Sequence, residues 1–102
     1  MSDPRTFDPA ALEPLDAYKL LIGLVVPRPI GWIGSVDSQG VRNLAPFSFF
    51  NAVAGTPPTV LFSPLMQRGQ PKDTLANVEE TQEFTVNMVS ADLAEAMNVT
   101  SG

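Results

Sequence analysis

The chain has 102 residues, of which 44% are hydrophobic and 17% charged, and its formal net charge is −5. This length accommodates one small domain, the composition is that of a folded globular protein, and the scattered cations form no basic stripe for nucleic acid. With no cysteine and no histidine, the sequence lacks a disulfide framework and a thiol nucleophile, and zinc sites and hydrolytic triads are disfavoured.

An amino-terminal arm and a short helix are expected first. Residues 1–13 are polar and marked by proline, which is typical of an arm, and the folded domain is expected over 14–102. Pro14 suits the first turn of a helix over about 14–22, and Gly23 is expected to end it. The chain shows no secretory signal, and the apolar run 20–26 is too short to cross a bilayer. We therefore expect a cytoplasmic protein without a membrane partner.

From residue 30 onward, period-two alternation and frequent turn residues predict short antiparallel strands. Asp37 and Gly40 stand at the first and last positions of a tetrapeptide that favours a type I turn and a hairpin. Pro46 cannot donate to a ladder, so the second strand is expected to bend or bulge there. Short helices are expected over about 74–81 and after Ser90. The predicted strands are 30–36, 41–45, 47–52, 59–63 and 84–89.

Small amide and hydroxyl side chains stand beside aromatic ones in the segment 43–51. A flavin ring needs this kind of wall, because its faces are apolar while its pyrimidine edge and N5 need a few donors and acceptors. Asn43 and Ser48 are the polar candidates. The alternative is a half-buried strand whose aromatic residues only fill a core, and the residue types leave both interpretations open.

Residues 72–74 place a lysine, an aspartate and a threonine at the start of a predicted helix. The unpaired N–H groups of a first helical turn favour an anion, and Lys72 and the Thr74 hydroxyl would add charge and a hydrogen bond for a phosphate. Residues 28–74 also carry four cations against two carboxylates, which suits an anionic small molecule. The same residues are also compatible with an ordinary helix cap.

Trp32 is the single tryptophan of the chain and lies between Gly31 and Gly34 in a predicted strand. The two glycines would allow close approach of the backbone to another group. Trp32 could stack on a ring or pack in the core, and its position in the sequence does not decide between them.

Five short motifs occur along the chain in a fixed order: RPIGWI at 28–33, NLAPFSFF at 43–50, PP at 57–58, KDT at 72–74 with Asn77, and EFTVN at 83–87. In this order they resemble the flavin reductase-like, FMN-binding split-barrel family that includes flavoredoxin. The resemblance runs from about Tyr18 to the end. It implies a mainly β split barrel with short helices, commonly a homodimer, that holds FMN near the subunit interface. It also implies transfer of reducing equivalents from NAD(P)H or a redox protein partner to an acceptor.

The resemblance further implies which residues contact the cofactor. Asn43, Ala45 and Ser48 are implied on the strand that lines the isoalloxazine ring, and Ser63 is implied near the cofactor at the end of the next strand. Those implied at the phosphate are Lys72 and Thr74, with Trp32 and Asp73 placed near the site. No residue is expected to act as an acid–base catalyst and no metal is implied, since the hydride chemistry belongs to the flavin.

Three hypotheses about activity remain open at this point. The chain could belong to an FMN-dependent oxidoreductase, to an electron carrier or sensor without its own turnover, or to a truncated and non-functional fragment. Members of the family are longer, so the barrel is expected to be incomplete, with an open strand edge that recruits another chain. We therefore expect the isolated chain to be dimeric or aggregation-prone and to bind FMN poorly.

Overall fold

The computed structural model describes residues 5–64 and 73–101 and shows a mainly β protein with short helices. Within these residues the strands form no closed barrel, and no helix is long and apolar enough to cross a membrane. The strands are β1 (Gly31–Val36), β2 (Arg42–Phe47), β3 (Phe50–Gly55), β4 (Pro58–Phe62) and β5 (Thr85–Asn87). The α-helices are α1 (Pro14–Leu24), α2 (Asp73–Thr81) and α3 (Ala94–Val99), and 3-10 turns occupy Pro9–Ala11 and Ala91–Leu93.

Helix α1 begins at Pro14, as predicted, with Asp16 in its first turn. The expected stop at Gly23 is wrong, because Gly23 lies inside the helix and the chain turns only after Leu24. None of the residues of α1 is buried. At its carboxyl end, Nη1 of Arg28 donates to the carbonyl oxygens of Ile22 at 3.0 Å and Val25 at 2.7 Å. A cation therefore satisfies carbonyl groups that the end of the helix leaves without a partner.

The predicted hairpin between β1 and β2 is confirmed, with Gly31 opposite Phe47 and Val36 opposite Arg42. In the turn, Oδ1 of Asp37 accepts hydrogen bonds from the N–H groups of Gln39 and Val41. Gly40 has a φ of 83°, a backbone conformation that favours glycine. Strand β5 pairs antiparallel with the other side of β1, so the sheet order is β2-β1-β5.

Pro46 does not bend or bulge the second strand, which corrects the prediction made from the sequence. The ladder with β1 continues past Pro46 to Phe47, and the chain leaves the sheet only at Ser48. The Asp37 N–H donates to the Val41 carbonyl, which fixes the phase of the ladder and places Pro46 opposite Trp32 in a non-hydrogen-bonded pair. The nitrogen of Pro46 therefore points away from β1, and its lack of an N–H removes no hydrogen bond from the ladder.

Strands β3 and β4 form a second, two-stranded antiparallel sheet with Phe50 opposite Phe62 and Gly55 opposite Pro58. The predicted strand over 47–52 starts later, at Phe50, and runs on to Gly55, beyond its predicted end. A register shift between Ala52 and Ala54 marks a bulge in β3.

Buried apolar side chains lie on both faces of the three-stranded sheet, with Trp32 on the face opposite to Ile33 and Phe47. Ile33 is fully buried and Phe47 is 5% exposed. The ring of Phe47 packs 5.1 Å from that of Phe62, which in turn packs edge-on against Phe84 at 4.9 Å. This row of rings joins the two sheets, and helix α2 packs against β1 and β2.

The carboxyl-terminal helix begins less regularly than predicted. The chain after Ser90 first forms the 3-10 turn Ala91–Leu93 and only then α3. The Ser90 hydroxyl donates to the carboxylate of Asp92 and makes no side-chain cap bond to the backbone. The predicted strand over 84–89 is shorter, since only Thr85–Asn87 pairs with β1.

Candidate functional site

The start of helix α2 lies against strand β2 through a direct side-chain contact. Nδ2 of Asn43 donates to Oγ1 of Thr74 over 2.8 Å. Thr74 is only 1% exposed, whereas Asp73, the first residue of α2, is exposed. The structure therefore brings together two of the predicted site residues, and it places the Thr74 side chain inside the fold rather than on an open surface.

A second polar contact holds α2 one turn further along. Nδ2 of Asn77 donates to Oγ of Ser35 over 3.2 Å, and each residue is 9% exposed. Asn77 follows Thr74 by three positions, so both side chains lie on the same face of the helix. Sequence reasoning noted Asn77 only as part of a motif and missed this contact. The helical spacing of two buried polar residues was the signal that could have revealed it.

A cavity of about 360 Å³ lies beside the other end of β2. It is bordered by the last turn of α1, by the segment that follows β2 and by the β3–β4 hairpin. Two of the predicted site residues, Ser48 and Ser63, line it, and the Ser63 N–H donates to the Phe49 carbonyl over 2.8 Å. The remaining walls are mainly apolar and include Leu21, Val25, Phe49, Phe50 and Leu61.

Arg28 is a charged residue that lines this cavity, and sequence reasoning did not select it as a site residue. Its guanidinium lies 5.6 Å from the centre of the Phe49 ring while it caps α1. Its Nε is buried and has no hydrogen-bond partner among residues 5–64 and 73–101. The cation stabilises the wall where α1 meets the segment after β2.

The contact between Asn43 and Thr74 and the cavity lined by Ser48 lie at opposite ends of strand β2. Asn43 and Ser48 are five residues apart, which in an extended chain is a separation of about 16 Å. The cavity is mainly apolar and is lined by two serines, and the other end of β2 lies beside a helix start whose first residue, Asp73, is exposed. This arrangement suits a ligand with a flat apolar part and a distant anionic end.

The structure does not bring the remaining predicted residues together in the same way. Trp32 projects from the face of β1 opposite to that of Asn43, and its Nε1 donates to the Thr100 hydroxyl over 3.0 Å. Ala45 shares the inner face with Asn43 and lies opposite Ile33. Lys72 lies outside the described residues.

Comparison with known proteins identifies the class of this fold. The chain superposes with a TM-score of 0.88 and 38% identity on nitrilotriacetate monooxygenase component B from Bacillus cereus, covering 95% of this chain and 50% of that one. It superposes with a TM-score of 0.81 and 34% identity on 2-nitrobenzoate 2-nitroreductase NbaA from Pseudomonas fluorescens, covering 95% and 47%. The fold is therefore that of flavin reductase-like split-barrel proteins.

The sequence comparison agrees with the fold. The family described as "Flavin reductase like domain" matches residues 23–102, and the chain belongs to this family. An uncharacterised protein of Aquifex aeolicus is 50% identical over 84 residues, which cover 81% of this chain and 43% of that protein. The chain thus spans about half the length of the relatives that it matches. Its family implies a flavin-related oxidoreductase role and a flavin cofactor.

Proposed function

We propose that the chain is part of an FMN-dependent oxidoreductase that passes reducing equivalents from NAD(P)H or a redox protein partner through FMN to an acceptor. One observation carries the proposal: in a member of a flavin family, an apolar cavity and an exposed helix start stand at the two ends of one strand. Bound FMN would supply the redox chemistry, and the residues of this chain would bind and orient it.

The isoalloxazine ring is proposed to occupy the cavity at the end of β2. Aromatic and aliphatic walls suit the flat apolar faces of the ring, and the hydroxyl groups of Ser48 and Ser63 are suited to its polar edge. The backbone of β2 leaves its ladder at Ser48, so polar backbone groups next to the cavity are no longer used by β1.

The phosphate is proposed to bind at the start of α2. The N–H groups of a first helical turn lack partners within the helix, and the helix dipole favours an anion there. The side chain of Asp73, the first residue of α2, is exposed, which supports access of an anion to this turn. Because the Thr74 side chain is buried, Thr74 is proposed to contribute its backbone N–H, while Lys72 is proposed to add a positive charge.

The subunit arrangement and the location are also proposals. Apolar side chains of α1 such as Leu15 and Leu24 are 60% and 72% exposed, which supports a homodimer that covers part of this surface. Sedimentation velocity tests this, and a monomer at all concentrations would contradict it. A cytoplasmic location stays a prediction.

The proposed function is tested by flavin binding followed by turnover. Purified protein is titrated with FMN while flavin fluorescence and absorption are recorded, and weak but saturable binding is expected for the isolated chain. NADH and NADPH consumption with free flavin as acceptor is then measured. Turnover supports the oxidoreductase, whereas binding without turnover favours the electron carrier or sensor. Failure to bind any flavin would favour the non-functional fragment.

A further inference from the structure

Asn43 has a different role in the structure from the ring contact that its motif implies. Its amide donates to a hydroxyl group that is buried at the start of α2. This hydrogen bond spans 31 positions of the chain and joins β2 to the first turn of the helix. The Asn43 side chain therefore faces the helix, and it does not border the cavity assigned to the ring.

The pair formed by Asn77 and Ser35 provides an internal comparison. Both pairs consist of an asparagine amide that donates to a hydroxyl oxygen, and both join α2 to the sheet. They differ in position, because Thr74 lies in the first turn of α2 and Asn77 lies one turn later. A change at the first pair displaces the start of the helix, whereas a change at the second loosens its middle.

We infer that Asn43 and Thr74 are positioning residues, which hold the first turn of α2 beside β2 at a set distance from the ring cavity. The inference rests on the proposed function, since it assigns the phosphate to that turn. The ring is assigned to the far end of β2, so displacement of the turn weakens contacts to the phosphate alone. The pair thus determines the preference for FMN over riboflavin.

The experiment measures dissociation constants for FMN and riboflavin by flavin fluorescence. Thr74→Val keeps the shape of the side chain but removes the hydroxyl, and it should weaken FMN binding about three- to tenfold, the effect of losing one hydrogen bond. The dissociation constant for riboflavin should change by less than about twofold. Thr74→Ser retains the hydroxyl and should restore most of the FMN affinity. Ser35→Ala is the matched control, which should lower the melting temperature without changing the FMN-to-riboflavin ratio.

Asn43→Ala separates positioning from direct contact with the ring. Positioning predicts that only FMN binding weakens, whereas a ring contact predicts equal weakening for both ligands and would overturn the inference. Asn43→Ser, which introduces no bulk, replaces Asn43→Ala if that variant does not fold. The inference is also wrong if Ser35→Ala shifts the ratio as much as Thr74→Val does.

Failure of the inference can be distinguished from failure of the proposed function. If the unmodified protein prefers FMN and the Asn43 and Thr74 variants keep that preference, only the positioning role is wrong. If the unmodified protein binds FMN and riboflavin equally, the phosphate assignment itself is wrong and the inference fails with it.

Discussion

The indole N–H of Trp32 donates to the hydroxyl of Thr100 over 3.0 Å, and this contact joins the end of α3 to the outer face of β1. The Thr100 hydroxyl in turn donates to the Met97 carbonyl at 2.6 Å. Trp32 is 8% exposed, so its N–H is removed from water and needs this partner.

Loss of the Thr100 hydroxyl should therefore destabilise the protein. Thr100→Val is expected to lower the free energy of unfolding by about 1–2 kcal/mol, because it leaves a buried donor without a partner. The free energy of unfolding of Thr100→Ser should stay close to that of the unmodified protein. Ser101→Ala is the matched control, since it removes a similar local bond that does not reach Trp32. Denaturation followed by the fluorescence of the single tryptophan measures all three variants.

Gly34 and Gly23 should respond in opposite ways to alanine. A Cβ at Gly34 would lie 2.5 Å from Oγ1 of Thr85, so Gly34→Ala should cost about 1–3 kcal/mol of stability through overpacking. A Cβ at Gly23 would meet nothing within 4 Å, so Gly23→Ala should stabilise helix α1 by about 0.5–1 kcal/mol. Thermal or chemical denaturation measures whether each substitution raises or lowers the stability. Equal effects at the two positions would contradict the close packing of β1 against β5.

Filling the cavity should weaken the binding of every flavin, whether or not it carries a phosphate. Ser63→Phe places a ring in the space between the β3–β4 hairpin and α1, while the Ser63 backbone bond to Phe49 can persist. Affinity for FMN and riboflavin should fall together, by about tenfold or more. Ser38→Phe adds the same ring to an exposed turn and serves as the control. Unchanged flavin binding in Ser63→Phe would place the ring elsewhere.

Lys72→Ala should have the complementary effect. FMN binding is expected to weaken about tenfold, because charge-assisted hydrogen bonds contribute roughly 1.5–3 kcal/mol, and riboflavin binding should barely change. Lys19→Ala removes the same charge from an exposed position of α1 and should leave both affinities unaltered. If both variants lose FMN affinity equally, Lys72 acts only through the net charge of the protein and does not contact the phosphate.

Local sequence signals predicted the elements well and their contacts poorly. Pro14 marked the start of α1, and the turn at 37–40 marked the hairpin, because both depend on neighbouring residues. The behaviour of Pro46 could not be predicted in this way. It depends on the phase of the ladder between two strands, which only their register settles.

For the candidate site, too, some of the residues could be predicted from the sequence, but the contacts between them could not. The resemblance selected Ser48 and Ser63, which line one cavity although they are far apart in sequence. It could not show that Asn43 faces Thr74, nor that Trp32 lies on the opposite side of the sheet, because alternation assigns faces only once a register is known. Arg28 was missed because its role depends on where α1 ends.

The exposed helix α1 has a consequence for the accessibility of the cavity. In the single chain no residue of α1 is buried, so in a monomer this helix should open locally at a small fraction of the free energy needed to unfold β1. Its backbone amides are then expected to exchange with deuterium far sooner than those around Ile33. Leu21 and Val25 form part of the cavity wall, so each opening of α1 widens the cavity. Local opening of this helix would thus set the rate at which a ligand enters and leaves the cavity.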